Sequence, residues 1–270
     1  MSFDEKVAQL HTGVDLQYVE RGQPTGVPVL LLHGISDSWH SFELVLPHLP
    51  EWIRALAISQ RGHGDSSRPE NGYHYKDFAA DAAALLDALD VESAVIVGHS
   101  TGSTIAQRFA IDYPERTRGL VLAASFHNPS DSEAVRELSG AVAEMEDPVA
   151  EEFVRGFQES TLAQPVPEAF FETIVQQSRK LPARVWRDMA ASSQQDGFSG
   201  ELNRIRVPTL LVWGDQDGVV PRSHQDAQAT AIADSRLIVY EGAGHGVHWE
   251  QPARFAEDLV RFVEDTVSRV

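Results

Sequence analysis

Apolar residues in this chain of 270 residues come in short blocks. Near the start, Val14, Leu16 and Tyr18 alternate with polar neighbours, the period of a strand with one face in solvent. Six nearly continuous apolar runs follow, at 29–32, 55–58, 94–97, 120–123, 209–213 and 237–240. Runs that short and unbroken predict strands covered on both faces, as in a parallel sheet. Between them the period lengthens. Phe78, Ala82, Leu85, Leu86 and Leu89 share one helical face, and so do Phe255, Leu259, Phe262 and Val263. This alternation predicts an α/β fold with a doubly wound, mostly parallel sheet.

The rhythm breaks once. Residues 126–206 hold no strand-like run. Val135, Leu138, Val142 and Met145 make one helical stripe, and Val149, Phe153 and Phe157 make another. Pro165 and Pro167 then punctuate the chain ahead of helical segments at 168–180 and 183–195. The pattern predicts a helical cap over 126–206, inserted into a core of 1–125 and 207–270 and lying over the sheet's C-terminal edge.

Composition narrows the chemistry. A hydrophobic share of 42% is enough for a sizeable core. With no cysteine, thiolate nucleophiles and cysteine-ligated metals are excluded. A net charge of −18 disfavours nucleic acid and anionic membrane as partners. No stretch reaches the ~18 apolar residues that a membrane helix needs, and the first ten residues carry early acids rather than a signal-like run, so a cytoplasmic protein is expected.

Three strand ends carry the candidate chemistry. Gly98-His99-Ser100-Thr101-Gly102 follows the run at 94–97 and opens a helical segment, the setting of a sharp turn that lifts a serine hydroxyl above a sheet. Serine is a poor nucleophile at neutral pH, and needs a base that an acid in turn orients. Asp215 and Asp217 follow the run at 209–213, and Gly244-His245 follows the run at 237–240. Serine, acid and histidine thus stand in the chain order of a nucleophile-elbow enzyme, at the strand ends where open α/β sheets place their sites. A metal pair of His245 with His248 lacks a third ligand, so neither metal nor cofactor is expected.

Further motifs carry a resemblance across nearly the whole chain. Leu30-Leu31-Leu32-His33-Gly34-Ile35, Arg61-Gly62-His63-Gly64-Asp65-Ser66, Trp213-Gly214-Asp215-Gln216-Asp217, and Gly244-His245 with Glu250-Gln251-Pro252 are together similar to the α/β-hydrolase family. That resemblance implies Ser100 as nucleophile, His245 as base and Asp217 rather than Asp215 as the acid. It also implies an oxyanion hole from the backbone N–H groups of Ile35 and Thr101. The chain departs from the family pattern at Ser36, often Pro, at Ser59, often Asp, and at Ser103, often Gly. A serine at the elbow points to acyl chemistry through an acyl-enzyme, in contrast to the aspartate of dehalogenases and epoxide hydrolases of this fold.

The expected activity is hydrolysis of a carboxylic ester or lactone, with an apolar small molecule as substrate. Trp39, His99 and Phe126 are candidates to line its pocket. Cofactor-free perhydrolysis, C–C hydrolysis and oxygenation on the same fold stay open, as does a non-catalytic ligand receptor. The sequence is silent on oligomeric state.

Overall fold

Each of the six apolar runs lies within a strand of the computed structural model, which describes residues 3–268. The strands are β1 (Glu5–Gln9), β2 (Asp15–Arg21), β3 (Val27–Leu32), β4 (Ile53–Ile58), β5 (Ala94–His99), β6 (Thr117–Ala123), β7 (Thr209–Gly214) and β8 (Ser235–Tyr240). They form one 8-stranded sheet in the order β1-β2-β4-β3-β5-β6-β7-β8. The first two strands form an antiparallel hairpin whose β2 runs antiparallel to β4. Every other pairing is parallel.

Side chains of a strand point alternately to opposite faces, and β3 shows the result. Leu30 and Leu32 join one apolar cluster with Leu85, Leu86, Ile105 and Phe109. These come from α1 (Tyr75–Ala88) and α2 (Thr101–Asp112). Val29 and Leu31 face the other way, into a cluster with Phe255, Leu259, Phe262 and Val263 of α9 (Pro252–Val267). The predicted terminal stripe is thus the buried face of α9. On the first helix, Leu89 falls one residue past the end, at the C-cap.

Between β6 and β7 the chain forms α3 (Glu133–Val142), α4 (Glu151–Ser160), α5 (Glu168–Ser178) and α6 (Ala183–Gln195). The remaining helices are α7 (Arg222–Ala231) and the single turn α8 (Val247–Glu250). Val154, Val185, Trp186 and Met189 from the inserted helices belong to the same apolar cluster as the α1–α2 face of the sheet. No helix among the described residues is long and apolar enough to cross a membrane.

Strand order places the site. Because β3 and β5 are neighbours, with Leu32 paired to Gly98, the loops leaving their C-terminal ends lie side by side. Those loops carry Ile35 and Ser100.

Candidate active site

Two close approaches force the turn at Ser100. A Cβ on Gly98 would stand 2.3 Å from the Gly102 carbonyl oxygen, and one on Gly102 would stand 2.2 Å from the Leu32 carbonyl oxygen. Only glycine lets α2 pass so near the strands. Ser100 itself sits at φ 52°, ψ −122°, a region that costs a non-glycine residue about 1–3 kcal/mol. Its backbone is pinned on both sides: its N–H donates to the Ala123 carbonyl at 3.0 Å, and its carbonyl accepts from Ser103 Oγ at 2.5 Å. Ser103, a departure from the family pattern, therefore ties down the elbow.

A chain of hydrogen bonds leads away from the serine. Ser100 Oγ lies 2.8 Å from His245 Nε2, and His245 Nδ1 lies 3.0 Å from Asp217 Oδ2. The His245 and Asp217 side chains are 4% and 0% exposed. The other Asp217 oxygen accepts from the N–H groups of Val219 at 2.8 Å and Val220 at 2.9 Å. Burial pushes the Asp217 carboxyl up; the facing His245 imidazole, its hydrogen bond and those two N–H groups outweigh burial and hold it below the usual carboxylate range. Asp215 points elsewhere. It is exposed, and its Oδ1 accepts from the Gly242 N–H at 2.7 Å, fastening the loop that leads to His245.

The serine and histidine open onto a cavity of about 490 Å³ under the inserted helices. Ile35, Thr101 and Phe126 line it, together with Val135 and Leu138 of α3 and Phe157 of α4. Gly34 runs close to the elbow, its Cβ position 3.3 Å from Ser100 Cβ.

Two expected pocket residues do not reach the cavity. Trp39 begins a tight 3-10 turn, Trp39–Phe42, that turns its ring into the opposite core cluster, stacked on His40 with centroids 3.8 Å apart. His99 points behind the site, and its Nε2–H donates to the His245 carbonyl at 3.0 Å. Burial, reinforced by the facing His245, lowers the His99 imidazole to about 3 and keeps it neutral. His248 is equally buried, with Nε2 3.0 Å from Ser41 Oγ.

Motif reading missed a buried polar junction between the insert and the β3 loop. Gln158 of α4 sends its amide nitrogen to Asp37 Oδ1 at 3.0 Å, Ser36 Oγ at 3.1 Å and Ser178 Oγ at 2.8 Å. Ser36 adopts φ 65°, which proline, locked near about −65°, could not take. The departure from the family's proline thus goes with a different loop conformation and a contact to α4. Only a polar loop residue next to the His-Gly motif hinted at this junction.

Burial pushes the Asp37 carboxyl up to about 7, against hydrogen bonds from Gln158 and Ser41 that pull it down. The native state therefore keeps a proton that the unfolded chain has released. Stability from this group is complete below about pH 4 and declines as pH rises to about 7, by about 1.4 kcal/mol per unit. An Asp37→Asn variant, which keeps the shape without the charge, should match the wild type near pH 4. It should then gain on the wild type in urea melts up to pH 7. A constant difference across that range would show that Asp37 does not titrate.

A family model described as the alpha/beta hydrolase fold matches residues 27–252. The chain is 30% identical over 275 residues to a non-heme chloroperoxidase of Streptomyces lividans, covering 93% of this chain and 97% of that one. It is 30% identical over 259 residues to a 2-hydroxymuconate semialdehyde hydrolase of Pseudomonas sp. strain CF600, covering 89% and 88%. Among solved structures, an esterase from Exiguobacterium antarcticum superposes with a TM-score of 0.85 at 25% identity, covering 97% of this chain and all of that one. The match reaches from the first parallel strand, past the elbow and the inserted helices, to the start of the terminal helix, and the chain belongs to the α/β-hydrolase family.

Proposed function

We propose that this protein hydrolyses carboxylic esters or lactones through an acyl-enzyme on Ser100. One observation carries the reading: the unbroken relay Ser100–His245–Asp217 ends on the wall of an apolar cavity. As Ser100 Oγ bonds to the substrate carbonyl carbon, its proton passes to His245 Nε2, while Nδ1–H donates to Asp217. The carbonyl oxygen becomes an oxyanion, met by the backbone N–H groups of Ile35 and Thr101. Collapse expels the alkoxide, which takes the proton from Nε2. Water repeats the sequence, giving its proton to Nε2 and its oxygen to the acyl carbon, and Ser100 leaves with its proton restored. Likeness to an esterase structure supports this reading.

The relative named a chloroperoxidase favours a second reading. In it, hydrogen peroxide replaces water at the acyl-enzyme and releases a peracid. Peracid formation with acetate and peroxide would bring that activity forward.

Labelling with a fluorophosphonate probe tests the shared core of both. Stoichiometric phosphonylation should map to the peptide carrying Ser100 and fall to background in His245→Ala. A folded sample that resists labelling would remove the activated serine.

A further inference from the structure

Resting on the ester-hydrolase reading above, we propose that the cavity selects by charge: it accepts esters that are uncharged along the portion held under the inserted helices and rejects those bearing a carboxylate there, with Glu137 and Glu152 adding to the rejection. The wall supplies no cation. Among the residues lining the cavity there is no lysine or arginine, and His245 is engaged with Ser100 and Asp217. Of the three lysines and arginines that adjoin a lining residue in sequence, Lys76 is exposed and borders a separate pocket, and the two arginines have partners of their own. Arg155 pairs with Glu172 at 2.8 Å, and Arg136 donates to the Ser130 carbonyl at 3.1 Å. A substrate carboxylate would therefore lose its water against Phe126, Leu138 and Phe157 with no guanidinium or ammonium to replace it.

Acidic residues add to this. Glu137 of α3 and Glu152 of α4 both line the cavity and are exposed, which places two carboxylates where the cavity meets solvent. A chain of net charge −18 repels anions at longer range as well. The same two groups leave room for a cationic end on the substrate, because a positive group there gains the partners that an anion lacks.

Two matched ester pairs test the proposal. 4-Nitrophenyl hexanoate against 4-nitrophenyl hydrogen adipate places the charge on the acyl side. Methyl 4-acetoxybenzoate against 4-acetoxybenzoate places it on the alcohol side. Each rate is divided by the ester's own rate with hydroxide, which removes intrinsic reactivity. In at least one pair, kcat/KM for the anionic member should fall by about 100-fold or more. In that pair, Glu137→Gln with Glu152→Gln should narrow the gap by about three- to tenfold, as expected for exposed carboxylates, and lysine at both positions should narrow it further. Anionic members cleaved within threefold of their neutral partners in both pairs would overturn the proposal while leaving the ester reading intact. A gap that the glutamine variant leaves unchanged would overturn the role of the two glutamates. If neither neutral ester is hydrolysed, the ester reading falls and the proposal falls with it.

Discussion

Ser100→Ala should lower kcat on any cleaved ester by four to six orders of magnitude while the protein melts within a degree or so of the wild type. On the proposed mechanism the loss is large because the hydroxyl is the group that bonds to carbon, and the neighbouring groups act only through it. His245→Ala should cost about as much, and the double variant little more than either, if the pair works as one unit as proposed. Asp217→Asn should lose about 10⁴-fold, because an amide facing His245 Nδ1 favours the wrong tautomer. A different exchange separates chemistry from strain. Ser100 stands at φ 52°, where a Cβ is costly. Ser100→Gly should therefore be as inactive as Ser100→Ala yet more stable by about 1 kcal/mol. Near-additive losses in the Ser100/His245 double variant would mean that the two side chains do not form one relay.

Acid should unfold this protein at unusually mild pH. Four histidines are fully buried and held neutral: His33, His63, His99 and His248. Burial is the main cause in each case, lowering His63 to about 4 and His99 to about 3. Each contributes stability above the ordinary imidazole value near 6.5. That contribution drains as pH falls, because the unfolded chain binds a proton that the native state refuses. One such proton is worth about 1.4 kcal/mol per pH unit. Asp37 works in the opposite direction over much of this range and offsets one of the four, leaving about 4 kcal/mol per unit around pH 5. Summed from pH 7 to 5 the loss is about 5 kcal/mol, enough to unfold a domain at the low end of the typical range of about 5–15 kcal/mol. Urea melts should show a slope that is shallow near pH 7 and steepens toward about 4 kcal/mol per unit near pH 5, and a flat stability would mean that the buried imidazoles take up protons in place.

How much of this was legible in advance depended on whether a residue's job was local. Strands β3 to β7 announced themselves because burial on both faces leaves an unbroken apolar run. The edge strand β1 did not: of its five residues only Ala8 is buried, so its alternation carries almost no hydrophobic signal. Ser100, Asp217 and His245 could be placed because each sits at a strand end in a motif that constrains backbone. Trp39 and His99 failed as pocket residues for a shared reason. Nearness in sequence to a motif says nothing about side-chain direction, which a 3-10 turn fixed in one case and the His245 carbonyl in the other. Asp37 and Gln158 lie 121 positions apart, with no pattern at either end, and only the folded chain brings them together.

The apolar cluster that runs from the sheet into the inserted helices has a consequence for how this enzyme can change. Phe153 and Phe157, which face the cavity, also pack edge-on against Trp186, a fully buried ring of that cluster. Substrate range and structural integrity therefore share residues. A mutation that enlarges the cavity also removes packing from the interior, at about 2–5 kcal/mol for a large side chain cut to alanine. Adaptation to new substrates is then limited by reserve stability, and variants in this region should become accessible only after unrelated stabilising changes elsewhere. Transplanting the helices of a relative would meet the same limit, because the graft would have to match a shared interior and not merely a pair of loops.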